Sequence, residues 1–244
     1  IMNSSDRVMV TAMIGAAANG IYAVSYKLPS LVSTLTGIFN QAWSYSAIRE
    51  EGSKDENEYN NKVFIQLISI VMFLSISLLT IIKPFLRIYV GTGYYNAWHY
   101  TPFLIIGSVY LTLATFMATS YTVHKDSWGY LFSAVFGAIL NVSLNFILIP
   151  IIGVYGAAFA TCVSYVAVFV FRLVHTRKYI KYHIDNREFI VGSILLILSS
   201  ICLFIDGFIG VMVQIIILVV ATWLYAKTWI PILQQIAKRV IRKK

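Results

Sequence analysis

The chain has 244 residues, of which 59% are hydrophobic and 12% charged. A soluble domain is about 45–50% apolar and about 25% charged, so this composition, with a mean hydropathy of +0.76, excludes an ordinary soluble domain and marks an integral membrane protein. The net charge of +9 then belongs to cytoplasmic loops and anionic lipid rather than to nucleic acid.

In chain order, the uncharged runs and their breaks predict eight spans, about 1–18, 20–47, 60–83, 97–123, 127–149, 153–176, 188–206 and 208–229. The fold class expected is an all-α polytopic bundle. The first span opens on NSSDRVMV, Asn3 to Val10, with Asp6 and Arg7 side by side ahead of an apolar run. Neighbours on a helix lie about 100° apart, so these two do not face each other. Each needs a partner on another helix, as a structural ion pair, or a place in a substrate or ion path. The apolar run is already under way at Ile1, and the chain is expected to be a C-terminal fragment with a truncated first helix.

The second span, entered at Asn19-Gly20, carries Lys27, Ser30, Thr34, Gly37, Gln41 and Ser44. Their alternating spacing of three and four puts them on one helix face. An ammonium heading such a stripe favours a water-filled cavity over lipid. Next comes the polar loop EEGSKDENEYNNK, and then two further spans. The fourth span repeats a stripe without charge, Ser108, Thr112, Thr115, Thr119 and Thr122, and the fifth has Gly137, Asn141 and Asn145. For these, helix–helix contact through small and hydroxyl groups competes with a cavity lining. The long run Ser127–Phe171 is broken by Pro150, Gly153 and Gly156 into two helices joined by a tight turn.

Lys and Arg are concentrated in the loops after the second, fourth and sixth spans and in the tail. Lys83 and Arg87 stand alone on the other side. The positive-inside rule therefore sets both termini in the cytoplasm. Tyr94, Tyr95, Trp98 and Tyr100 are expected at the outer interface, and Trp223 and Trp229 at the inner one. The tail AKRVIRKK is expected to lie on the anionic leaflet or to anchor the topology.

Cys162 and Cys202 sit in apolar runs without metal-ligand spacing and are expected to pack as small apolar residues. The four histidines, His99, His124, His175 and His183, are scattered. No HExxH, GxSxG or Walker A pattern occurs, so the chain is not expected to be an enzyme.

The stretch NSSDRVMV followed by GIYAVSYKLPS, Gly20 to Ser30, resembles the middle of bacterial polysaccharide flippases. These are the O-antigen and capsule repeat-unit translocases of the multidrug/oligosaccharidyl-lipid/polysaccharide exporter superfamily. LNFILIPIIGVYGAAFAT, Leu144 to Thr161, with Asn141 before it, resembles a second stretch of that family. One departure is Trp43-Ser44-Tyr45, where the family often has a proline.

The resemblance implies a two-lobed bundle working by alternating access, of which this chain resembles helices seven to fourteen. Residues 1–178 would be the C-terminal transport lobe of six helices, 179–230 an additional two-helix pair, and 231–244 a basic cytoplasmic tail. The substrate implied is an undecaprenyl-diphosphate-linked oligosaccharide, flipped outward across a bacterial inner (plasma) membrane for O-antigen, capsule or exopolysaccharide synthesis. Lys27 and Arg7 would meet its diphosphate, and Asp6 would position Arg7 or take part in coupling. Ser30, Thr34 and Gln41 would bond sugar hydroxyls, and Tyr22 and Tyr26 would stack on sugar rings. Asn141, Asn145, Pro150, Gly153 and Gly156 are expected to pack helices. No cofactor is expected beyond H+ or Na+ as coupling ion. Partners would be an N-terminal lobe, and a polymerase and other polysaccharide assembly proteins, but no nucleic acid. The alternatives are a cation-coupled multidrug or metabolite antiporter, a peptidoglycan lipid-precursor flippase, and a scaffold that does not transport.

Overall fold

A computed structural model describes residues 2–50, 52, 53, 55–184 and 187–241, with side chains described for all but 2–4, 227, 229 and 231–241. Among the described residues are nine α-helices: α1 (Met2–Met13), α2 (Ala16–Ser25), α3 (Lys27–Arg49), α4 (Glu56–Tyr89), α5 (Thr101–Val123), α6 (Ser127–Ile152), α7 (Val154–His175), α8 (Arg187–Cys202) and α9 (Gly207–Ile241). Short 3₁₀ segments, Thr92–His99 and Thr176–Lys178, precede α5 and follow α7. The chain is an all-α membrane bundle. α4, α5, α6, α7 and the Gly207–Ala226 part of α9 are long and apolar enough to cross a membrane. α3 has the length, but its polar stripe makes it less apolar. The basic residues of the tail, and Trp229, lie outside the described side chains.

α6 shows how the sequence suits lipid. Its buried residues are Gly129, Ser133, Gly137, Asn141, Asn145 and Ile149, each four after the last, while Phe132, Phe136, Ile139, Phe146 and Ile147 are exposed. A small and polar stripe turned inward, with large apolar groups outward, reverses the pattern of a water-soluble helix and lets helices approach closely. α7 accepts that stripe. A Cβ on Gly156 would lie 2.5 Å from the backbone carbonyl of Leu148, so only glycine permits this approach. α5 is the most enclosed helix, between α3, α4 and α7, and α8 and α9 pack on α4.

Three breaks place the elements. The first turn falls at Gly15, φ +127°, and not at the expected Asn19-Gly20. Only glycine adopts that φ without strain. Gly20 instead lies within α2, where its missing side chain makes room for the Tyr94 ring. The second break, at Tyr26, divides the expected second span into α2 and α3. Pro29 cannot donate to the Ser25 carbonyl four residues earlier; the Thr101 hydroxyl, 3.2 Å away on α5, donates to it instead. The third break is Gly153, φ +61°, between α6 and α7. Pro150 does not break the run as expected but sits in the last turn of α6.

Candidate functional site

Gly15 and Gly153 turn the chain at the same end of the bundle: the Gly153 Cβ position is 4.0 Å from Ile14 Cδ1. Asp6 lies nine residues before the first turn, Asn145 eight before the second, and Thr161 eight after it. At 1.5 Å per residue all three sit about 12–14 Å from that end, near the middle of a hydrocarbon layer of about 30 Å. They meet there.

The Asp6 carboxylate is fully buried, 0% exposed. Asn145 Nδ2 donates to its Oδ1 at 2.6 Å. Thr161 Oγ1 and the Tyr26 hydroxyl donate to its Oδ2 at 2.5 and 3.1 Å. Tyr22, also buried, stacks edge-on against Tyr26 with ring centres 5.1 Å apart, and their hydroxyls are 3.2 Å apart. With the Tyr26 proton on Asp6, Tyr22 is the donor of that bond. Val10, Ile149, Ala157 and Ala158, one turn closer to the glycine turns, form an apolar plug with Tyr22 and Leu104 that closes the site on that side.

Among the described residues Asp6 has no cationic partner; the ion pairs there are Lys83–Asp206 and Lys178–Asp126. The expected structural ion pair is therefore replaced by neutral donors. Among the described residues, the nearby Asn145 Oδ1 and Asn141 Nδ2 are buried without hydrogen-bond partners. A lone carboxylate in a low-dielectric interior is costly in its charged form. The site therefore suits a proton or a hard monovalent cation held by oxygen atoms. No cluster of three His, Cys, Asp or Glu side chains forms among the described residues.

The other expected site residues separate into two groups. Arg7 points away from Asp6, exposed, with Nε 3.3 Å from Asn19 Oδ1. Lys27, Ser30, Thr34 and Gln41 are exposed along α3, with Gly37 and Ser44 half-buried in the same stripe. The Ser30 and Thr34 hydroxyls donate to the Lys27 and Ser30 carbonyls, so toward a ligand they offer acceptor lone pairs. Tyr22 is not offered for stacking on a sugar, because the helices around it cover the ring completely, and Tyr26 is committed to Asp6. Asn141 and Asn145, expected to pack helices, line the Asp6 site. In the α5 stripe, Thr112 bonds Thr36 across the helix pair at 3.2 Å and Ser108 and Thr119 are buried, while Thr115 and Thr122 are exposed.

No protein-family model matches the chain, and no curated protein does. A solved structure matches. The chain shares its fold with the lipid II flippase MurJ. The likeness, to an inward closed conformation, has a TM-score of 0.59 at 14% identity over 93% of this chain. It spans about half of the MurJ chain, 52%. The correspondence is one of helix arrangement.

Two groups escaped the sequence reading. Thr161 resembles a packing residue in a helix of small side chains, yet it binds Asp6. Arg172, in α7, is 6% exposed; its guanidinium donates to Ser133 Oγ and to the Ala114 carbonyl, both at 3.0 Å, and lies over the Tyr130 ring. The signal for Arg172 was present: an arginine near the end of an otherwise apolar helix.

Proposed function

We propose that this chain forms one lobe of a carrier, not an enzyme, that flips a lipid-linked diphosphate oligosaccharide across the bacterial inner membrane by alternating access. The observation that carries this reading is that Arg7 on α1 and Lys27 on α3 are both exposed in a bundle with the MurJ fold. Neither cation has a carboxylate partner among the described residues, and a diphosphate crossing a low-dielectric layer needs such charges. Ser30, Thr34 and Gln41 continue from Lys27 along α3 for sugar hydroxyls. A second lobe of similar size faces this one and closes the cavity. Asp6 is the coupling group, exchanging a proton or Na+ as the lobes rock.

The glycan is the finer question. The motifs around Asn3–Ser30 and Leu144–Thr161 favour a surface-polysaccharide repeat unit, and the fold likeness favours a peptidoglycan precursor at least as strongly. Both carry the same diphosphate. The test is flipping by the whole protein in vesicles, using fluorescent undecaprenyl-diphosphate-linked repeat unit and lipid II in parallel. R7Q/K27Q should lose about tenfold or more of the rate for the accepted substrate, since charge-assisted hydrogen bonds contribute about 1.5–3 kcal/mol each. An unchanged rate in a folded double variant rejects the assignment of the two cations, and no flipping of either substrate by the parent rejects the function.

A further inference from the structure

At the end of the bundle that carries Gly15 and Gly153, a cavity of about 770 Å³ opens between α4, the 3₁₀ segment Thr92–His99 and the α8–α9 turn. Lys83 and Arg87, one turn apart on α4, form its cationic wall. Lys83 Nζ lies 4.2 Å from the centre of the Trp98 ring and 3.0 Å from Asp206 Oδ1; the Arg87 guanidinium lies 5.7 Å from the Tyr95 ring centre. Trp98, expected in an interfacial aromatic belt, is thereby buried beneath Lys83.

The charges do not balance. Two cations face one carboxylate, and Arg87 has no carboxylate partner among the described residues. The Asp206 side chain is 90% exposed, so its pairing with Lys83 is a weak surface contact that another anion can displace. The opposite wall is apolar: Cys202, Leu203, Ile205 and Val211. It continues into Phe208 and Ile209, exposed on α9. Pro84 also leaves the Thr80 carbonyl in this wall without its helical donor, an acceptor for a headgroup hydroxyl.

We infer that this cavity binds one anionic phospholipid, its phosphodiester between Lys83 and Arg87 and an acyl chain along Leu203, Ile205 and Val211. A phosphodiester is a single negative charge, which matches the net charge of the wall. The apolar side selects a lipid over a free phosphate.

Native mass spectrometry of the whole protein, titrated with phosphatidylglycerol or phosphatidylcholine, tests this. One phosphatidylglycerol should be retained preferentially, and each cation removed should lower retention about fivefold. K83Q/R87Q should therefore lose the preference, and D206N should strengthen it. Millimolar inorganic phosphate should leave the adduct in place. Equal retention of the two lipids, or an unchanged preference in the double variant, overturns the inference. Displacement by inorganic phosphate overturns the lipid assignment in favour of a free anion. Should K83Q/R87Q fail to fold, R87Q, which alters only an exposed side chain, carries the same test.

Discussion

Asp6 is tolerated at membrane depth because three neutral groups donate to it, from α6, α7 and the α2–α3 break. This makes the residue a stability determinant as well as a coupling candidate. In D6A the donors of Tyr26, Asn145 and Thr161 lose a shared acceptor in a dry site, and each buried unsatisfied group costs about 1–3 kcal/mol. D6N keeps the shape and one acceptor oxygen, so it should cost less. Thermal unfolding of the purified variants should rank them parent, then D6N, then D6A; a D6A protein as stable as the parent would show that the network does not form. How far this site was legible follows from its construction. Asp6 stood out as a charge in an apolar run, but its partners lie 20, 139 and 155 residues away. Asn145 and Thr161 fit a packing stripe equally well, and no local spacing distinguishes a hydroxyl that contacts a helix from one that binds a carboxylate. Tyr22 shows the same limit: aromatic character marks a ring, and only the fold tells that this one is covered.

At the scale of elements, α4 to α7 and α9 were legible because apolar runs bounded by charges or glycine have few alternatives in a bilayer. The breaks near the start were less so. Asn19-Gly20 carries the turn signal of a soluble loop, while the turn is made by Gly15, and Pro29 breaks the following helix three residues upstream of itself. Both outcomes depend on neighbours: the Tyr94 ring fills the space over Gly20, and Thr101 supplies the donor that Pro29 lacks. The α6–α7 pair has the opposite character, since its geometry rests on glycine at one close contact. G156A would place a methyl 2.5 Å from the Leu148 carbonyl carbon, which backbone cannot yield without separating the helices. Overpacking of this kind costs about 1–3 kcal/mol. Because Asn145 and Thr161 sit on opposite sides of that contact, G156A should also loosen the Asp6 site. Faster amide hydrogen exchange in α1 as well as in α6 and α7 is the expected result, and exchange unchanged in all three helices would contradict the close-contact reading.

On the whole molecule, two kinds of surface are exposed, and they differ in chemistry. α6 and α9 present Phe132, Ile139, Phe146, Phe208, Ile209 and Val219, a surface only lipid satisfies. α1 and α3 present Arg7, Lys27, Ser30, Thr34 and Gln41, interrupted by Leu31, Leu35 and Ile38. Lipid there would desolvate two cations without compensation, several kcal/mol each even after relaxation, so they meet water or a polar partner. The distinction is measurable in membranes with single cysteines placed on the whole protein, after Cys162 and Cys202 are replaced by serine. A maleimide reacts with the thiolate, which forms only where water reaches. S30C, T34C and Q41C should therefore label about tenfold or more faster than I139C and F146C with a membrane-impermeant reagent. Their rates should fall when the substrate is bound, because its diphosphate and sugars would occupy the same water. Uniformly slow labelling at all five positions would mean that the α3 stripe is covered by lipid or by close protein contact; the cavity would then have to lie elsewhere, and Arg7 and Lys27 would lose their claim to the diphosphate.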